Sequence, residues 1–170
     1  MDNKYSIKLK EIISILRGPD GCPWDKKQTI QSLSKNILEE VYEVTEAMAE
    51  DDFNHIKEEL GDILSQIYMI AEIAEEKGKF CIEDVYNGIN TKLIARHTHV
   101  FGDKKAENAE EALKIWNDEK KKEKSHRKSI FDGIPKGLPP ILKTMKMNEK
   151  LKINYKEVMP EVEFLQDEVV

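Results

Sequence analysis

Apolar residues recur every three or four positions through successive stretches of this chain, the spacing of amphipathic helices. Between Tyr5 and Arg17 that rhythm is set by Ile12, Ile13 and Leu16, and it stops at the turn residues Gly18-Pro19-Asp20-Gly21. The segment GPDGCPWDKKQ then reads as a loop. From Thr29, a candidate N-cap, to about Glu50 the stripe is Ile30, Leu33, Ile37, Val41, Val44 and Met48. Asp51-Asp52 breaks it, and Ile56, Leu60, Ile63, Leu64, Ile67, Ala71 and Ala74 define a second long helix ending near Gly78. So short a break predicts an antiparallel hairpin.

A third helix is expected over Ile82–His97, with Val85, Ile89, Leu93 and Ile94. A fourth starts at Asn108, where Glu111 three residues on makes a capping box, and runs through Ala112, Ile115 and Trp116 into KKKEKSHRKS, read as solvated helix end and linker. FDGIPKGLPP marks a boundary by its glycines and prolines; a short helix over Ile141–Leu151 and an acidic tail follow. The expected organisation is one domain over residues 1–125, then a basic linker, the Gly/Pro-rich segment, a short helix and the tail over 126–170.

Composition narrows the class. In 170 residues, 39% apolar and 35% charged, there is material for one core but little for strands buried on both faces, which favours amphipathic helices and, with the periodicity, an expected all-α fold class. A net charge of −6 argues against a general nucleic-acid binder. Cys22 and Cys81 are too few for a disulfide framework and form no CxxC pair. The N-terminus lacks the layout of a signal peptide, and the most apolar stretch, Ile63 to Ala74, is broken by Ser65, Gln66 and Glu72, so a cytoplasmic protein with no membrane partner is expected.

The acids of the hairpin are placed unevenly. At about 100° per residue, Glu40 and Glu43 lie roughly 60° and 120° to one side of the stripe through Ile37. With Leu60 at zero and its stripe centred near −25°, Glu59 falls at about −100° and Asp62 at about −160°, the same sense of rotation. Glu39 and Glu58 point away. Glu43 and Glu59 are symmetric about residue 51, as are Glu40 and Asp62, so an antiparallel pair brings all four carboxylates to one groove. Like charges so arranged repel and call for a cation. All-oxygen ligation suits Mg²⁺, with Mn²⁺ as a substitute. A di-iron helix-bundle site needs Glu-x-x-His pairs, which the sequence lacks, so iron and zinc are disfavoured.

EExxE at Glu39, Glu40 and Glu43, followed by ExxD at Glu59 and Asp62, resembles the MazG-like nucleoside triphosphate pyrophosphohydrolases of the all-α NTP pyrophosphatase superfamily. GCPWDKKQT, KGKF, RHTHVFGD and AENAEEALKIWNDEK resemble further segments of that family in the same order. The resemblance implies an antiparallel four-helix core, an intertwined homodimer with sites near the subunit interface, and Mg²⁺-dependent cleavage of a nucleoside triphosphate between its α and β phosphates. It places the metal ligands on Glu40, Glu43, Glu59 and Asp62, and nucleotide or phosphate contacts on Lys92, Arg96, Trp116 and Lys120. Trp24 either closes a loop over the base or pins that loop to the core; Trp116 has core spacing as well as a stacking role. Thr98 stands where the family often has proline, and no second EExxE/ExxD pair follows, so residues beyond 125 read as the start of a second copy. The alternatives are a related enzyme acting on dUTP, dCTP or phosphoribosyl-ATP, and a weakly active or non-catalytic helical nucleotide-binding module.

Overall fold

The structure, a computed structural model, describes residues 4–151; the acidic tail lies outside them. Every regular element among the described residues is a helix: α1 (Lys4–Arg17), α2 (Pro23–Lys27), α3 (Leu33–Ala49), α4 (Phe53–Glu76), α5 (Ile82–Arg96), α6 (Thr98–Phe101), α7 (Ala109–Glu123) and α8 (Pro140–Leu151). They divide into two compact units, up to Ala95 and from Arg96. None of the helices is long and apolar enough to cross a membrane.

In the first unit α3 and α4 form the expected hairpin, and α1 packs on α4. One apolar core joins four helices: Ile13 from α1, Leu33 from α3, Tyr68, Met69, Ala71 and Ile73 from α4, and Ile82 from α5. Ala47 and Ala74 are fully buried. Leu33 and Ile73 are the largest side chains wholly withdrawn from water, each worth about 2 kcal/mol of transfer free energy. The Tyr68 and Tyr86 hydroxyls hydrogen-bond to each other, tying the start of α5 to α4.

Thr29 caps the turn that leads into α3: its hydroxyl accepts from Ser32 N and its N–H donates to Ser32 Oγ, both at 3.0 Å, and its carbonyl accepts from Leu33 N at 3.1 Å, where α3 itself begins. One local detail departs from the sequence pattern: GPDGCPWDKKQ is not wholly a loop, because Pro23 at a first helical position and Asp25 in the first turn start the short α2. Gly21 is required just before it: a Cβ there would lie 2.3 Å from the carbonyl oxygens of Ile15 and Leu16.

The turn between α3 and α4 uses three residues. Asp51 takes φ 55, and the N–H groups of Asp51 and Asp52 return to the carbonyls of Met48 and Ala47 at 3.3 and 3.1 Å. This double bond closes α3, and the Asp52 carboxylate at once caps α4 by accepting from the N–H groups of Asn54 and His55.

In the second unit α6 packs on α7. The expected cap of α7 is present, Asn108 Oδ1 accepting from Glu111 N at 2.9 Å. The Glu111 carboxylate reaches one residue further back than a standard capping box, to Glu107 N at 2.9 Å. The third predicted helix ends at Arg96, one residue early, because His97 turns the chain into α6.

Candidate functional site

The hairpin turn sets the axial register of its two helices, and the register brings acids together. Glu40 and Glu43 on α3 and Glu59 on α4 each offer a carboxylate oxygen, all within 4.8 Å of one another. Glu59 is buried, Glu40 half-buried and Glu43 exposed, so the group runs from the helix seam out to water. Asp62 lies outside this tight trio but within its field. The Glu40 carboxyl is pushed above its ordinary value by burial first, then by the charges of Asp62 and Glu43, with Glu59 adding to them. Glu39 faces outward as expected and pairs with Lys35 at 2.9 Å, and Glu58 is exposed.

Three carboxylates at this spacing, without a thiol among them, are the donor set of a hard divalent cation. The residues therefore fit Mg²⁺ or Mn²⁺, and Glu40's resistance to ionising is the cost that such a cation would remove.

One neighbour was not among the residues expected from sequence. His55 Nε2 lies 3.0 Å from Glu59 Oε1, one helical turn earlier on α4. Its sequence signal is the i,i+4 spacing to a candidate ligand, with the histidine before the acid, whereas a Glu-x-x-His pair places it after.

A second constellation lies within the second unit. The Arg96 guanidinium carbon stands 5.1 Å from the centre of the Trp116 ring, and Lys120 Nζ stands 4.4 Å from it. Arg96 is 4% exposed and directs Nε and Nη2 at Glu123 Oε2, at 2.9 and 2.7 Å. Both nitrogens fall on one oxygen, so Nη2 makes an ionic contact without an aligned hydrogen bond. Burial, then the positive charge of Arg96, holds the Lys120 ammonium below its ordinary value; Lys150 and Lys146 act in the same direction and Glu149 opposes them. A half-buried cation among cations is stabilised by an arriving anion. Glu119 holds Lys104 at 2.6 Å and Lys122 at 2.9 Å, fixing the segment after α6 onto α7.

The remaining expected contacts are less engaged. Lys92 is exposed on α5, one turn before Arg96. Trp24 on α2 is 60% exposed, so it does not pin its loop to the core. The loop is held instead by Arg17, whose Nη1 donates to the carbonyls of Asp25 and Gln28.

Residues 28–101 match the MazG nucleotide pyrophosphohydrolase domain. The chain is 48% identical over 142 residues to the uncharacterized protein YabN of Bacillus subtilis, covering 83% of this chain and 29% of that protein. It is 40% identical over 146 residues to the nucleoside triphosphate pyrophosphohydrolase of Escherichia coli K12, covering 84% of this chain and 56% of that one. Against the nucleoside triphosphate pyrophosphohydrolase/pyrophosphatase MazG of Thermotoga maritima it is 42% identical over 155 residues, covering 89% and 58%. The chain thus spans little more than half the length of the latter two, and less than a third of the first. The crystal structure of a mazG-related protein from Thermotoga maritima superposes with a TM-score of 0.57 at 32% identity, over 68% of this chain and 98% of that one. With the acidic hairpin, the helical fold and these likenesses agreeing, the chain belongs to the MazG family.

Proposed function

We propose that this chain is a Mg²⁺-dependent nucleoside triphosphate pyrophosphohydrolase, converting a nucleoside triphosphate to the monophosphate and pyrophosphate by cleavage between the α and β phosphates. The observation that carries this reading is the meeting of Glu40, Glu43 and Glu59 across the α3–α4 turn, with Asp62 adding to the field on Glu40. These four acids would hold the metal. When bound, a divalent ion neutralises phosphate oxygens and makes a water acidic enough to attack phosphorus.

The chain's own residues do the rest. The carboxylates fix the position at which a triphosphate is received and, as anions, exclude a substrate that arrives without its cation. Arg96 and Lys120 are the proposed phosphate contacts, their positive charge favouring the departing pyrophosphate, and Lys92 is proposed as a further one. Trp116 presents a ring already flanked by two cations, and exposed Trp24 offers a second aromatic surface for a base. No side chain is assigned to reading the base or the sugar.

The proposal includes a homodimer. Val85, Tyr86, Ile89, Leu93 and Ile94 on α5 are all exposed at 39–52%, a continuous apolar helix face of the kind that a second copy covers. Residues 1–125 are taken as the catalytic-type domain, acting on nucleotides of the cytoplasm.

Incubating the purified chain with a panel of NTPs and dNTPs, with and without Mg²⁺, tests the reading by phosphorus NMR. Pyrophosphate and monophosphate are expected only with metal. Orthophosphate as the sole product, or no turnover of any nucleotide, would refute it; Glu59→Gln should abolish turnover.

A further inference from the structure

Glu59 is the buried member of the acidic trio, its side chain only 9% exposed. A carboxylate in that position needs hydrogen-bond donors, and it must also present a lone pair to any cation it is to hold. Against it stands His55, whose Nε2 lies 3.0 Å from Oε1 as an ionic contact, a distance over which an imidazole N–H can donate. The backbone of His55 is fixed in the first turn of α4, where its main-chain N–H donates to Asp52 Oδ1 at 3.1 Å, beside that of Asn54 at 3.0 Å on the same oxygen. The turn that sets the hairpin register therefore also sets the point on α4 from which the imidazole reaches Glu59. Glu59 in turn lies with Glu40 and Glu43, a carboxylate oxygen of each within 4.8 Å of the others.

We propose that His55 is a positioning residue for the metal: by engaging Oε1 of Glu59 it locks that carboxylate's rotamer and leaves the second oxygen for the cation. The inference rests on the metal-site reading above. Its logic is the one by which metal-ligating groups generally depend on the hydrogen bonds behind them, whose loss typically weakens metal binding by about 10–100-fold. A free Glu59 side chain would have to give up rotamer freedom when the metal arrives; a Glu59 already held by His55 does not.

The test is Mn²⁺ binding to nucleotide-free protein, followed by electron paramagnetic resonance and calorimetry. Three chains are compared: wild type, His55→Phe, which keeps the ring and removes the donor, and His55→Gln, whose amide reaches an i+4 carboxylate. We expect His55→Phe to bind Mn²⁺ about 10–100-fold more weakly and His55→Gln to recover to within about threefold of wild type. Thermal melting of the metal-free variants reports whether either fails to fold, and His55→Gln keeps the comparison open if His55→Phe does. Unchanged affinity in His55→Phe overturns the proposal, as does a His55→Gln as weak as His55→Phe, because then the donor is not the cause. If wild-type protein binds no Mn²⁺ at all, the metal-site reading fails with it; if wild type binds and His55→Phe matches it, only the role of His55 fails.

Discussion

Arg17 grips Glu76 with two nitrogens, Nε at 2.6 Å from Oε1 and Nη2 at 2.8 Å from Oε2, while its third nitrogen holds the carbonyls of Asp25 and Gln28 at 2.5 and 3.4 Å. One half-buried residue thereby ties the end of α1 to the end of α4 and to the segment carrying Trp24. The Glu76 carboxyl is held below its ordinary value of 4.5, chiefly by its hydrogen bond from Arg17 and against the opposing effect of burial.

The sign of the resulting pH dependence follows. Because the folded value is lowered, the contribution of this pair is fully present above 4.5 and is lost as pH falls through the lower folded value. Glu76→Gln should therefore flatten the acid limb of stability below that point. At neutral pH it should cost only about 1 kcal/mol, the glutamate being 42% exposed and screened by solvent. Urea unfolding across the acid range checks this, and an unchanged slope would rule it out.

Much of this arrangement was legible in the chain. The break at Asp51-Asp52 and the flanking stripes predict the hairpin, and the angular offsets of Glu40, Glu43 and Glu59 predict that they meet. Those features depend on helix period and chain length alone, which sequence carries directly. What it carried poorly were choices between competing hydrogen bonds. Glu111 passed Asn108 N, the partner that a capping box calls for, to reach Glu107 N. His55 was missed because its meaning appears only once Glu59 is seen to be buried, and the cations over Trp116 because Arg96 lies on another helix.

Glu40 supplies the second prediction. Its raised carboxyl means that the ionised form costs the metal-free fold free energy, fully so above the folded value and less as pH falls through it. Glu40→Gln should then raise the melting temperature of the metal-free protein at neutral pH. Wild type should overtake it when Mg²⁺ is added, since saturation at about 100 times Kd contributes about 2.7 kcal/mol. Calorimetry in EDTA and in Mg²⁺ reads both arms; a wild-type melting temperature indifferent to Mg²⁺ would sink the metal-site reading.

The apolar face of α5 makes a third prediction. Ile89 and Leu93 lie one turn apart, 41% and 44% exposed. Placing a charge there should cost a dimer the burial that holds it, while a monomer would lose little. Ile89→Asp is expected to halve the mass measured by light scattering after size exclusion, with helical circular dichroism retained. A wild-type protein that already elutes as a monomer would end the proposal.

Trp116 is flanked by Arg96 at 5.1 Å and Lys120 at 4.4 Å, contacts worth about 1 kcal/mol each where partly desolvated. Trp116→Leu should leave both cations less ordered and raise KM for the nucleotide about tenfold, with kcat little changed. Trp116→Phe, which keeps a ring face, should fall between. A kcat loss without a KM rise would place the residue in the chemistry rather than in binding.

The turn that aligns the acids contains the last prediction. α3 and α4 end in the same way: Lys79 N returns to Ala74 O at 2.9 Å and Gly78 N to Glu75 O at 2.9 Å, just as Asp52 and Asp51 return to Ala47 and Met48. The residue at the left-handed position is glycine after α4, φ 59, but aspartate after α3, φ 55. Aspartate tolerates that conformation better than most residues yet worse than glycine, which has no Cβ to crowd the carbonyl. Asp51→Gly should therefore stabilise the hairpin by about 0.5–1 kcal/mol, and Asp51→Val, branched at Cβ, should destabilise it by at least as much. For a chain of this size the glycine variant should melt about 1–4 °C higher. Because Asp51 only sets the register, Mg²⁺ affinity should be unchanged in Asp51→Gly; a glycine variant that melts lower than wild type would show that the aspartate side chain itself holds the turn.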